Sequence, residues 1–438
     1  MSVSFLRPSW RNCFAVLCLG MLLVACHDQP NSQPAATKST PDAPIPINSV
    51  KTWVRYPPPN SALSPLAALG KQIFFDTSLS ASGKMACSTC HSPDHAYGPP
   101  NELAVQLGGV DMRHPGTRAV PSLRYMSFTP KFTRHYTIPS PDGAEDEGPA
   151  GGFTHDGEID SLHEQASIPL LNVNEMANGD AASLNVKLRH ARYADQFQKL
   201  FGADIFDHPI ATMEKATLAL EAFETEDPSF QPYTSKFDAA IAGNVNFSAE
   251  ELRGYALFNN PAKGNCAKCH IDTPGPGGRP AQFTDFEFEA VGVPRSLEIA
   301  ANRDPKYFDL GLCGPARKDL AKEINFCGMF KTPTLRNVAS RQVFFHNGRF
   351  HTLEDAMHFY VERDTDPEKW YAKQKGKVVP YDDLPAAYRE NIDHVNAPFN
   401  RKHDDKPALN DDEIRDVIAF LKTLDDGYSA QSGAARKN

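Results

Sequence analysis

The chain has 438 residues, 41% of them hydrophobic, with 54 acidic against 45 basic side chains and a formal charge of −9. The apolar share is too high for a disordered or fibrous chain, and the length allows two or three domains with real cores. With no basic stripe to neutralise phosphates, a nucleic-acid partner is excluded, whereas an acidic surface suits a basic redox protein or a small neutral oxidant.

The first 25 residues read as an export signal: Arg7 and Arg11 precede the apolar run CFAVLCLGMLLVA, Cys13 to Ala25, which is too short to span a bilayer. The run ends in Leu23-Val24-Ala25-Cys26, which resembles the lipobox of bacterial lipoproteins. That resemblance implies cleavage before Cys26, acylation of its thiol and attachment to a membrane through a lipid. The alternative is a soluble periplasmic protein. Residues 26–52 are rich in Pro, Ser and Ala and read as a flexible tether.

A first short helix is predicted in LSPLAALGKQIFF, with Ser64 and Pro65 at N-cap and N1. It leads into CSTCH, with Cys87, Cys90 and His91. C-x-x-C-H is the attachment signal of c-type haem: two thioethers hold the porphyrin and the histidine becomes the proximal iron ligand. Helices are also predicted at 161–167 and 212–225, and a domain boundary near 228–247. The pattern then repeats: SAEELRGYALF opens on a Ser248/Glu251 capping box and leads into CAKCH, with Cys266, Cys269 and His270. A zinc knuckle or redox dithiol is the bland reading of either run, but zinc needs two further ligands each time.

With Cys13 and Cys18 in the signal and Cys26 as the lipid site, the remaining two of nine cysteines are Cys313 and Cys327. In an oxidising compartment they pair most simply as a disulfide. Thr352 caps a helix whose apolar face holds Leu353, Met357 and Tyr360. A long C-terminal helix, 410–426, starts at an Asn410/Glu413 cap and puts Ile414, Val417, Ile418, Leu421 and Leu424 on one face. No run shows sustained period-two alternation. The fold class expected is therefore mainly α, with two cytochrome-c-like domains at 53–235 and 236–428, each with one covalently attached c-type haem and long Pro/Gly-rich loops. Residues 429–438 are expected to form a disordered tail.

The order and spacing of LGKQIFFDTSLS, CSTCH, GGFTHDGEIDSLHEQASIPLLNVNEM, CAKCH, FTDFEFEAVGVP and FKTPTLRNVASRQVFFHNGRFHTLEDAMHFY over residues 60–425 resemble the bacterial di-haem cytochrome c peroxidases and the related MauG enzymes. The resemblance implies that the N-terminal haem is the peroxide site and the C-terminal haem a six-coordinate electron relay. It assigns Glu175 as the distal carboxylate that accepts and returns a proton as the O–O bond splits, with Gln165 and Pro169 beside it. Read without the family, Glu175 is a solvated loop carboxylate. His95 and His114, the nearest histidines after CSTCH, do not stand at the spacing of a blocking ligand, so they read as exposed loop histidines and the peroxide iron as open or water-bound at rest.

The peroxidases place a methionine fourteen residues after the histidine of an HDG-like turn; here that turn is His346-Asn347-Gly348 and the position is Tyr360. On the residues alone Tyr360 is a core tyrosine. The MauG branch uses tyrosine as the second axial ligand there, a hard anion that favours ferric and higher states. Met357 and Met329 are the fallback ligands. Three departures stand out. His155 occupies the place of the inter-haem tryptophan of F-W-D-G, and Trp53 and Trp370 are the only tryptophans after the signal. Ala119 replaces the asparagine that binds the family's calcium, and Arg341 and Val343 occupy the positions whose carbonyls serve the same ion. Arg118, Lys331 and Arg336 are candidate partners for haem propionates.

The expected function is a di-haem peroxidase that uses hydrogen peroxide to oxidise a protein partner, leaning to MauG-like chemistry on the diferric enzyme. The alternatives are peroxide detoxification with electrons from a small cytochrome or cupredoxin, a non-enzymatic di-haem electron carrier, and a peroxide sensor or scaffold at the membrane.

Overall fold

The computed structural model describes residues 62–140 and 143–429. The export signal, lipid site, tether, Trp53 and the tail beyond residue 429 lie outside the described residues. The architecture is mostly helical. Helices in chain order are α1 (Pro65–Phe74), α2 (Cys87–Cys90), α3 (Leu162–Leu171), α4 (Ala181–Arg189), α5 (Ala194–Phe201), α6 (Pro209–Glu226), α7 (Lys236–Ile241), α8 (Ala249–Phe258), α9 (Leu353–Glu362), α10 (Pro367–Trp370) and α11 (Asp411–Lys422). No helix among the described residues is long and apolar enough to cross a membrane.

The starts of the predicted helices follow their caps. Ser64, Ser161, Ser248, Thr352 and Asn410 each accept a hydrogen bond from a backbone N–H of the first turn, which satisfies a donor that the helix itself cannot. Where the sequence shows helix only over 212–225, α6 is longer, because Pro209 supplies an N1 residue with a preset φ.

Two apolar cores form. One packs Leu69 and Phe74 of α1, Leu184 of α4, Phe197 of α5, Leu220 and Phe223 of α6, and Phe230 just beyond it. The other packs Phe237, Phe258, Phe283, Phe359, Val417 and Phe420 from α7–α9 and α11. Each is built on one close helix crossing. A Cβ on Gly70 would overlap the Ala219 carbonyl, so α1 meets α6 backbone to backbone, and a Cβ on Gly254 would overlap the Asp416 carbonyl where α8 meets α11.

The β-structure is minor. The long ribbon pairs Thr133–Ser140 (β1) antiparallel with Gly143–Ala150 (β2). Its sequences, TRHYTIPS and GAEDEGPA, carry no alternating apolar face, which is why the pattern does not announce it. Cys313 and Cys327 are joined by a disulfide.

Polar clasps cross between the two cores. Asp426, just after α11, accepts from Arg124 (3.1 Å) and from the Tyr125 hydroxyl (2.8 Å). Arg118 binds Asp309 (2.6 Å) and Asp156 (2.8 Å).

Candidate functional site

Each C-x-x-C-H run folds as one tight turn that orients its histidine in the same way. The Nδ1 of His91 lies 3.0 Å from the Tyr97 carbonyl, and the Nδ1 of His270 lies 3.0 Å from the Phe283 carbonyl. A carbonyl can only accept, so Nδ1 carries the proton and the Nε2 lone pair is left for a metal. Burial lowers both imidazoles to about 4, which keeps them neutral as ligands must be. The thiols of Cys87, Cys90 and Cys266 are pushed up to about 12, mainly by burial, and Cys269 moves the same way. Redox dithiols need a lowered pKa, so this reading loses its support. Among the described residues no three His, Cys, Asp or Glu side chains converge as a metal site, which leaves the zinc reading without a tetrahedron.

Around the second run lies a largely apolar cavity of about 310 Å3, lined by Cys266, Cys269, His270, Met357 and Tyr360. The Tyr360 ring is held between Phe345 and Phe399, each with centroid 5.5 Å away and an interplanar angle of 28°. Its hydroxyl has no hydrogen-bond partner among the described residues, and burial, then the nearby thiols of Cys269 and Cys266, raise its pKa. Two thiols, a neutral imidazole, an apolar slot and an unpartnered phenol are the donor set a haem takes, so the residues fit that group. Met329 packs against Phe288 and Leu312 instead, so of the two fallback methionines only Met357 lines the cavity.

At the first run, Cys87 and Cys90 pack against the core that also holds Ala166 and Leu170 of α3, the helix that carries Gln165 and Pro169. Glu175 follows α3 and lies close enough to Cys90 to raise its thiol after burial has done so. Its own carboxyl is raised by burial, an effect opposed by the Asn172 amide, which donates to Oε1 at 2.6 Å. Asn172 was not singled out in the sequence; it leaves Oε2 as the free proton-accepting atom. The Gln165 side chain makes no hydrogen bond to Glu175. A second carboxyl here, Glu224 on α6, is buried, with Oε2 unpartnered, and its pKa is pushed up to about 8 by burial and then by Glu221.

The two halves repeat one motif that sequence reading passed over. Phe153-Thr154-His155-Asp156-Gly157 and Phe344-Phe345-His346-Asn347-Gly348 form the same turn. In both, the residue before the histidine is left-handed (Thr154 φ 69°, Phe345 φ 65°), as is the glycine (Gly157 φ 62°, Gly348 φ 58°). Both turns close with an isolated bridge, Phe153 to Ile159 and Phe344 to Phe350, and both lead to a capped helix, α3 or α9. Counting from the motif, Pro169 stands where Tyr360 stands in the second copy, since 169 − 153 and 360 − 344 are both 16. One copy carries a side chain with no donor atom, and the other a phenol.

His155 sits between the halves, its Nε2 2.8 Å from the Ala119 carbonyl, and is kept neutral at about 4, chiefly by burial and then by Arg118. His346 stacks on Phe330 with centroids 3.5 Å apart. Trp370 belongs elsewhere, packed on Phe350 and Phe359. Contrary to expectation His95 is half-buried and lines the cavity, whereas His114 is exposed beside Asp111. Arg118 is spent on Asp156 and Asp309 and Arg336 on Asp238. Lys331 donates only to the Gly152 carbonyl and is lowered to about 8 by burial, so it lacks a close carboxylate.

The di-haem cytochrome c peroxidase family profile matches residues 64–246. The methylamine utilization protein MauG of Paracoccus denitrificans is 32% identical over 370 residues, covering 82% of this chain and 88% of that protein. Cytochrome c551 peroxidase of Nitrosomonas europaea is 26% identical, covering 82% and 79%. The crystal structure of the diheme peroxidase BthA from Burkholderia thailandensis superimposes with a TM-score of 0.73 at 36% identity, covering 84% of this chain and 89% of that one. A MauG-like protein associated with microbial copper homeostasis shares the fold, with a TM-score of 0.59 and 22% identity. Paired thiol–imidazole runs, the phenol above one of them and these relatives agree: the chain belongs to the di-haem cytochrome c peroxidase family and is a di-haem peroxidase.

Proposed function

We propose that this peroxidase takes up hydrogen peroxide at its N-terminal site and uses the oxidising power on a protein partner, with both haems ferric at the start. The observation that carries this reading is the Pro169/Tyr360 correspondence between two copies of one motif. Pro169 offers no ligand, so that site keeps an open face; Tyr360 closes the other. Bound haem iron supplies the redox chemistry of O–O cleavage. Glu175 accepts the peroxide proton on Oε2 and returns it to the departing oxygen, while Asn172 fixes its rotamer through Oε1. Gln165, with its amide uncommitted, orients the incoming molecule.

In the same reading Cys87, Cys90, Cys266 and Cys269 form the thioethers, and His91, His270 and Tyr360 bind iron. A phenolate needs a cation to be stable in so buried a place, and ferric iron provides it. The domains run 53–235 and 236–428. Export, and a lipid anchor at Cys26, rest on the apolar run and LVAC box of the sequence.

Stoichiometric peroxide added to the diferric protein, with both ferric signals followed by EPR, tests the proposal. Both signals falling together supports it. A response only after one haem is reduced supports an ordinary cytochrome c peroxidase, and ferric spectra indifferent to cyanide and peroxide support a carrier.

A further inference from the structure

The calcium that the family resemblance implies does not fit the residues present. Ala119 has no side-chain oxygen to offer, and its carbonyl is taken by the His155 ring at 2.8 Å. The Val343 carbonyl accepts from Arg341 Nε at 3.3 Å, and the Val120 carbonyl from Arg341 Nη2 at 3.1 Å. The Arg341 guanidinium thus lies on the Val343 carbonyl, one of the two that the resemblance assigns to the ion, and on the neighbouring Val120 carbonyl. It lines the cavity next to His155, and among the described residues no carboxylate is within ion-pair distance of it. Two buried acids, Asp156 and Asp309, are held by Arg118. An unpaired buried cation is costly unless something anionic arrives to meet it, and haem brings propionates.

The geometry points to Arg341 as a built-in replacement for the divalent ion: the chain supplies the positive charge at this place itself and binds no calcium. Burial lowers the guanidinium only to about 10, so it stays charged at neutral pH and repels a second cation. Arg341 acts as a positioning residue; it touches carbonyls and not the reacting atoms.

The experiment uses the intact di-haem protein. After equilibration with calcium chloride and desalting, elemental analysis is expected to find no stoichiometric calcium, and EGTA is expected to leave both ferric EPR signals and the thermal midpoint unchanged. One calcium per chain, or EGTA-induced change in either signal, overturns the proposal. Ala119→Asn combined with Arg341→Ala restores an amide oxygen and clears the carbonyls. This variant is expected to take up one calcium and to gain about 3 °C in midpoint at calcium roughly a hundredfold above Kd. If it folds and stays calcium-free, the guanidinium is not what excludes the ion and the proposal fails. Should that variant not mature, Arg341→Lys decides: a calcium-free protein with wild-type ferric signals supports a charge role, and altered signals overturn it.

Discussion

Replacing Tyr360 by Phe removes one oxygen and nothing else from a ring held between Phe345 and Phe399. Among the described residues the hydroxyl has no partner, so once a bound haem covers it, leaving it unbound costs about 1–3 kcal/mol. Were Tyr360 a plain core residue, Tyr360→Phe would gain roughly that much, a midpoint higher by about 1 °C for each kcal/mol. If the oxygen binds iron, the sign reverses. The variant loses a ligand, its midpoint falls, and the ferric signal of the C-terminal haem changes while the N-terminal one persists. Differential scanning calorimetry and EPR on one preparation read both quantities. A raised midpoint with both ferric signals unchanged refutes the ligand assignment and, with it, the contrast between an open and a closed site.

Glu175→Gln keeps the Asn172 hydrogen bond but loses the base, so the rate of peroxide consumption should fall about 10²–10⁴-fold, while imidazole binding to the ferric protein stays as it was. In the wild type that rate should rise with pH through a value above the usual carboxylate range, since only the ionised carboxyl accepts a proton; a flat profile tells against Glu175. Pro169→Tyr copies the second motif into the first and should extinguish the peroxide response, leaving the C-terminal ferric signal intact. Unimpaired turnover in that variant means the correspondence is only one of sequence. Glu224, at about 8 when folded against an ordinary value of 4.5, keeps its proton while the unfolded chain loses it, so stability declines as pH rises between these values, by at most about 1.4 kcal/mol per pH unit. Glu224→Gln should flatten this decline and raise the midpoint at pH 8; parallel profiles for the two proteins contradict the burial argument.

The helix starts were readable because a cap is local chemistry: Ser248 and Glu251, or Asn410 and Glu413, satisfy each other's backbone donors within four residues. The two C-x-x-C-H runs were readable for the same reason. The F-x-H-x-G repeat escaped because its copies share few identities over seventeen residues, and their likeness lies in φ angles: Thr154 and Phe345 are unalike as side chains and alike as backbone. The roles of Asn172 and of the Arg341 side chain escaped for another reason. What Asn172 does depends on where a loop returns Glu175, and the isolation of Arg341 depends on Arg118 having claimed Asp156 and Asp309 from distant parts of the chain. Local periodicity carries no information on such accounts. The β1–β2 ribbon was invisible since neither strand presents an apolar side.

The clasps of Asp426 and Arg118 have a bearing on speed. Charges buried to this degree cannot be parted cheaply, because removing one partner strands the other at about 3–5 kcal/mol. The separation of the two C-x-x-C-H runs is therefore held by these clasps. Passage of an electron across it should proceed at the same rate in glycerol as in water, with a temperature dependence that reflects tunnelling and reorganisation and owes nothing to hinge motion.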